Sequence, residues 1–392
     1  MNIRRIIHAS CPIGTLAALL GFVAAACGAG ASAPAWKPAQ GPLMTRWARE
    51  VSPSRVHPEY PRPQMVRKDW LNLNGLWDYA ITDRTAAQPT QWDGQILVPF
   101  PVESALSGVM RRVYETNRLW YRRTFEVPRR WAGQRVLLHF GAVDWETVVW
   151  VNGREVGQHR GGYNAFSFDI TDALRPGAPQ ELVVAVWDPT DTGYQPRGKQ
   201  VRNPHGIWYT PSSGIWQTVW LEPVPETYIE KIRLTPDVDA RTIRIEAICR
   251  NPGDGWTLRA EIREGGRLIH QSSVPVPTET GPTSVARLEA AIPRARLWSP
   301  DDPFLYDLQL SLHRDGRRGD QLRSYFGMRK ISVARDAEGV NRLFLNNQPL
   351  FQFGLLDQGF WPDGLYTAPT DAALRYDIEM TKKLGFNMAR TH

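Results

Sequence analysis

Flat aromatic rings are the commonest chemically useful side chains in the first half of this chain. Trp145, Trp150, Trp187, Tyr194, Trp208, Tyr209, Trp216 and Trp220 follow one another closely. Sugar rings present C–H faces that stack on such rings, but an aromatic ring in an alternating strand more often fills a core. Tyr194, Trp208 and Tyr209 stand among Gly, Pro and polar residues and are the better candidates for a binding surface. Other reactive types read as structural. Cys249 ends the stripe Ile243, Ile245, Ala247, Cys249, which makes it a small core residue and not a nucleophile. Glu338 falls in a loop and Glu379 in a helix, both as solvated charges.

The elements that must position these residues are mostly short strands. Leu119–Val127 alternates with Leu119, Tyr121, Phe125 and Val127 on one face, and Arg135–Phe140 is a second strand. Thr147–Val151, then Asn152-Gly153, then Arg154–Gly157 reads as a hairpin on the favoured type I′ dipeptide. Glu181–Trp187 and Ile215–Glu222 complete a sandwich or jelly roll over residues 60–224. Residues 34–59 before it form a Pro-rich, weakly ordered, extended lead. Residues 225–335 hold about seven strands without a Cys pair, an immunoglobulin-like sandwich that spaces and orients.

Residues 336–392 change character. A hairpin through Asn346-Asn347 leads to Phe351–Leu355, a short apolar run expected as a buried strand. Thr370 is placed to cap a helix carrying Leu374, Ile378 and Leu384, Gly385 to end it, and Phe386–Arg390 to form the next strand. Such a parallel βαβ unit needs both faces covered or closure into a barrel, and a complete (β/α)8 barrel takes about 250 residues. The expectation is a mainly β chain that ends on the first βαβ of a truncated barrel, an incomplete polypeptide.

A hydrophobic content of 42%, 22% charged residues and a net charge of +7 without a basic block describe a folded soluble protein with no nucleic-acid partner. Arg4 and Arg5 precede the apolar segment Ile13–Ala26, the layout of a signal peptide over residues 1–33 and too short for a transmembrane span. Cleavage after Ala29-Gly-Ala31 would release an exported protein, periplasmic or extracellular. Cys27, between Ala26 and Gly28, resembles a lipoprotein attachment site without the usual Leu three residues earlier; an incidental Cys is the other open reading. Cys249 would be the only thiol left in the body, so no intramolecular disulfide is expected.

Five blocks carry a family resemblance. Leu73-Asn-Gly-Leu-Trp77, Leu119-Trp-Tyr121, Gly141–Gly157, Phe168-Asp-Ile-Thr171 and Ser213–Val219 resemble the sugar-binding jelly roll of glycoside hydrolase family 2. Leu297–Tyr306 looks like the signature of that family's immunoglobulin-like domain, and Phe386-Asn-Met-Ala-Arg390 is similar to its second barrel strand. The resemblance implies an enzyme acting on β-linked sugars, β-galactosides first, through two glutamates with retention of configuration. Both glutamates lie on later strands in the family, so this chain alone is expected to be inactive. No cofactor is implied here, and the family's metal ligands lie downstream. A non-catalytic exported carbohydrate-binding protein is the alternative, and a structural adhesion module a third reading.

The resemblance also implies one part of a sugar pocket. Asp144, at the end of Gly141-Ala-Val-Asp144, stands where an Asn often reaches toward the barrel, and Asp188 and Asp191 match another pocket-facing loop. Turn capping is the competing role for all three. Asp357 and Trp361 occupy the loop after the first barrel strand, although Leu356–Trp361 departs from the family's Asn-Arg-His pattern. Arg390 matches an arginine that holds the catalytic carboxylates, and His392 lies one position out of register with a family histidine.

Overall fold

The computed structural model describes Trp36–His392. The expected signal peptide, with Cys11 and Cys27, lies outside the described residues.

The first sandwich faces a six-stranded antiparallel sheet against a four-stranded one. In spatial order the larger sheet is Gly94–Val98, Gly75–Asp83, Asn117–Phe125, Gln180–Trp187, Glu146–Val151 and Arg154–Arg160. The smaller is Leu71–Asn72, Val219–Val224, Arg135–Phe140 and Phe166–Asp169. Inward residues of both sheets, among them Leu119, Tyr121, Leu138, Phe140, Val149, Leu182, Val184 and Leu221, make one core. The hairpin turn is as its dipeptide demands: Asn152 and Gly153 both have positive φ, 52° and 81°. The expected strand Ile215–Glu222 is split. Trp216 leaves the sheet to donate its indole N–H to the Gly162 carbonyl at 2.7 Å, so only Gly214–Ile215 and Val219–Val224 pair.

The second sandwich packs Tyr228–Asp237, Thr242–Arg250 and Thr283–Ala291 against Arg267–Pro275, Thr257–Glu264, Tyr306–Arg314 and Arg317–Phe326. Ile243, Ile245, Ala247 and Cys249 all point into its core, and Cys249 is buried with its thiol pushed up to about 12. That places it among inert core cysteines.

The lead corrects the expectation of weak order. Ala48 and Val56 are buried against Leu97, Phe100 and Leu106, with Trp36, Met44 and Val51 packed around them. These apolar residues have no helical or strand period, so only the groove that receives them reveals their role. Further along, Arg67 is buried and joins both sandwiches. It donates to Glu222 at 3.1 Å, to Asp320 at 3.3 and 2.8 Å, and to the Ile229 carbonyl at 2.7 Å. Arg62 adds a bond to Glu222 at 2.8 Å, and the Tyr60 hydroxyl donates to the same carboxylate. A cavity of about 350 Å³ opens beside this network, lined by Arg62, Arg67, Arg135, His139 and Arg250. Each guanidinium there has a carboxylate partner in Glu222, Asp320, Asp169, Glu226 or Glu230, so the cavity carries no surplus positive charge for a ligand.

The last segment is a parallel pair, Gly354–Asp357 beside Met388–Thr391, joined through the helix Asp371–Lys383. Thr370 caps that helix as expected, accepting from Ala373 N at 3.2 Å, and Gly385 follows it at φ 87°. The expected buried strand at Phe351–Leu355 is corrected in position and in burial. It begins at Gly354, and Phe351 and Phe353 are exposed, because no second layer among the described residues covers this two-stranded sheet. Leu374, Ile378 and Leu384 on the helix are exposed for the same reason.

Candidate functional site

Asp144 closes the strand Val143–Asp144, which pairs with Gly214–Ile215 in a two-stranded ribbon at the end of the first sandwich. Its peptide bond to Trp145 is cis. The side chain is 6% exposed, and no protein donor or cation among the described residues acts on the carboxyl. Burial first, then the charges of Asp188 and Glu103, hold it well above the usual carboxylate range. Gly162 lies flat on it: a Cβ there would stand 2.4 Å from Oδ1.

Two further carboxyls stand behind it. Asp188 accepts from Thr190 N at 2.7 Å and from the Ser213 hydroxyl at 2.6 Å. Glu103 accepts from Ser213 N at 2.9 Å. Burial raises both, Glu103 to about 8, against the pull of the Ser213 bonds.

An aromatic wall stands next to this acidic group. Tyr163 and Tyr366 meet hydroxyl to hydroxyl at 2.9 Å, and Trp216 packs against both rings with centroids 6.2 and 5.0 Å away. Tyr366 belongs to the loop after the first parallel strand, and that loop is fixed to the first sandwich at many points. The Tyr366 hydroxyl donates to Gln200, Tyr209 donates to Gln358 at 2.7 Å, and the Thr367 hydroxyl bonds the carbonyls of Trp216 and Pro99 at 2.5 and 3.1 Å. Asp363 accepts from Thr45 N and Oγ1 at 2.8 and 2.7 Å, and His57 Nε2 donates to the Ala368 carbonyl at 2.9 Å. Replacing Tyr366 by Phe removes the two hydroxyl bonds. It should weaken loop docking by about 1–3 kcal/mol, read as faster amide exchange over residues 358–369 while the strand Gln180–Trp187 keeps its protection.

The structure distributes the sequence-derived candidates unevenly. Asp144 is at the centre of the buried group. Asp191 is turned away from it into an ion pair with Arg202 at 2.7 Å, and the residue delivered instead is Asp188. Asp357 is exposed and caps its own loop, accepting from Gly359 N at 2.9 Å, and its carbonyl accepts from His392 N at 2.8 Å. Trp361 is half-buried and pairs through its backbone with Leu365. Arg390 and His392 are exposed at the end of the parallel pair, so the buried guanidinium expected at Arg390 is not met. Among the stacking candidates, Tyr209 has one face taken by Phe360 with centroids 4.4 Å apart, Trp208 is half-buried, and Tyr194 is fully exposed. Glu103, Tyr163 and Tyr366 escaped sequence reasoning because nothing near them marks a buried polar group. Among the described residues no cluster of three or more His, Cys, Asp or Glu could hold a metal ion, and no helix is long and apolar enough to cross a membrane.

A model described as "Glycosyl hydrolases family 2, sugar binding domain" matches residues 95–225, and one described as "Glycosyl hydrolases family 2" matches residues 227–329. The chain belongs to glycoside hydrolase family 2. Within the family it is 28% identical over 335 residues to a β-galactosidase of Thermoanaerobacter pseudethanolicus, covering 83% of this chain and 43% of that protein. It is 26% identical over 316 residues to a β-glucuronidase of Paenibacillus borealis, covering 75% of this chain and 50% of the relative. The solved β-glucuronidase of Bacteroides uniformis shares the fold at a TM-score of 0.66 and 23% identity, over 82% of this chain and 39% of that one. The chain spans about half the length of the curated relatives it matches. Family 2 membership makes it a β-glycosidase family chain. The relatives carry both names, so they do not favour β-galactosidase specifically.

Proposed function

We propose that this chain builds one wall of the sugar pocket of an exported β-glycosidase that hydrolyses O-glycosidic bonds with retention. β-Galactosides are the first choice of substrate and β-glucuronides the second. The observation that carries this reading is Asp144: a buried carboxyl without a protein partner among the described residues, next to Tyr163, Trp216 and Tyr366. A group so desolvated gains when a ligand completes its hydrogen bonds, and sugar hydroxyls do so while the ring stacks on an aromatic face. The parallel pair and its helix are read as the start of a (β/α)8 barrel, with Asp357, Trp361, Arg390 and His392 at the carboxyl ends of its strands, where such barrels keep their active sites. Retention needs two carboxyl groups about 5 Å apart. Glu379, in the helix, is paired with Arg375 at 2.8 Å, and Glu338 is exposed in a turn, so neither supplies one. Export, with or without a lipid on Cys27, is part of the same proposal.

Tryptophan fluorescence of the purified chain, titrated with galactose and separately with glucuronate, tests it. Saturable quenching is expected, with at least tenfold weaker binding in Asp144→Ala and no nitrophenol released from aryl β-glycosides. Quenching that is the same in Asp144→Ala removes Asp144 from the site. Hydrolysis by this chain alone overturns the placement of the essential acids elsewhere.

A further inference from the structure

Glu103, Asp188 and Asp144 are three buried carboxyls about one short ribbon, Asp144 on it and the other two bonded to Ser213 beside it, and none has a cationic partner among the described residues. Ser213 spans two of them, N–H to Glu103 Oε2 and hydroxyl to Asp188 Oδ2. The other oxygen of Glu103, Oε1, is buried with no hydrogen-bond partner among the described residues. The next residue, Gly214, is the register partner of Asp144, so whatever fixes Ser213 fixes the strand opposite Asp144. The remaining titratable groups around them are phenols and one outward acid. Tyr121, Tyr163 and Tyr366 are all held above their ordinary value by burial, Tyr163 at about 12, and stay uncharged. Asp191 is occupied by Arg202, which also holds Glu115. Three uncompensated negative charges in so small a buried volume are less favourable than retaining a proton.

We propose that Glu103 is a proton-holding positioning residue: through Ser213 it fixes the ribbon that presents Asp144, and its neutral carboxyl keeps the wall behind Asp144 from accumulating negative charge at neutral pH. The role of Asp144 toward a sugar rests on the function proposed above; the proton on Glu103 does not. Burial as the leading cause, and a folded value of about 8 against an ordinary 4.5, agree with this assignment. The sign follows. A carboxyl whose folded value is raised binds its proton more tightly in the native state, so stability is highest below the ordinary value and falls as pH rises toward 8.

Infrared difference spectra of the full chain across pH, reading the C=O stretch of protonated carboxyls, test the proposal together with thermal melts. Wild type is expected to lose a carboxylic-acid band with a midpoint near pH 8. Glu103→Gln should lack that band, and its melting temperature should fall less than that of wild type as pH is raised. Asp188→Asn should keep the band and move its midpoint down by about one pH unit, since a neighbouring negative charge is gone. A band unchanged in Glu103→Gln, or a midpoint unmoved in Asp188→Asn, overturns the proposal. Should Glu103→Gln not fold, the Asp188→Asn midpoint decides. Galactose titration of the same samples reads the sugar contact separately: absent quenching beside an intact band counts against Asp144 as a sugar ligand and leaves the proton assignment standing.

Discussion

Arg67→Met should lower the stability of the chain by about 3–5 kcal/mol and its Tm by on the order of 10 °C. The guanidinium is 5% exposed and spans Glu222, fully buried, and Asp320, 4% exposed. Its removal leaves Asp320 with only backbone donors, Ile229 N at 2.8 Å and Gln321 N at 2.9 Å, and leaves Glu222 to Arg62, Tyr60 and Trp220. Burial alone pushes Glu222 up, and the positive charges around it bring it below its ordinary value; His139, pushed down to about 3 by burial, is uncharged at neutral pH, so the standing cations are Arg62 and Arg67. Urea and thermal unfolding followed by far-UV circular dichroism check the number. The double variant Arg67→Met, Asp320→Asn should recover part of the loss, because a buried pair removed whole costs less than one left half-charged. A single variant within 1 kcal/mol of wild type would show that solvent reaches these carboxylates.

The second large effect is expected at Gly214. The residue has φ +86°, and a Cβ on it would stand 2.0 Å from the Tyr121 hydroxyl and 2.8 Å from Leu119 Cδ2. Tyr121 is fully buried, and its hydroxyl accepts from Ile215 N at 3.2 Å, so it has nowhere to retreat. Gly214→Ala combines left-handed strain of about 1–2 kcal/mol with overpacking of about 1–3 kcal/mol. Because Gly214 is paired with Asp144, the displaced ribbon should carry the carboxyl out of place. The expected result is a loss of about 2–5 kcal/mol in unfolding free energy, with sugar quenching weakened beyond what the melt alone explains. Gly153→Ala is the comparison: it too has positive φ, 81°, but nothing stands within 4 Å of its Cβ position, so it should cost stability and leave the quenching alone.

What the sequence made legible were features governed by a few adjacent residues. The Asn152-Gly153 turn, the Ile243 to Cys249 stripe, the Thr370 cap and the Gly385 stop each rest on local backbone or period-two constraints, and each stands where expected. The family blocks were legible as ordered words and not as physics. Hidden features depend on partners tens to hundreds of residues away. Nothing in Pro101-Val-Glu-Ser104 distinguishes a buried acid from a solvated one until Ser213 is brought beside it. The same holds for Arg67, and for the lead, whose Trp36 and Val56 carry no period. The apolar run at Phe351–Leu355 announced a strand that begins only at Gly354, and a run says nothing about whether a second layer is there to cover it.

The clamps on the loop after the first parallel strand have a kinetic consequence. Thr45 and Asp363 are 318 positions apart, and His57 and Ala368 311. On a ribosome the lead emerges well before the partners of its polar side chains, which are made 311 to 318 residues later. Closing such long intervals is slow, so the two sandwiches are expected to acquire their own hydrogen bonds well before the lead and the loop meet. The wall that presents Tyr366 beside Asp144 is then assembled after the two sandwiches, and is lost before them when only the long-range contacts fail.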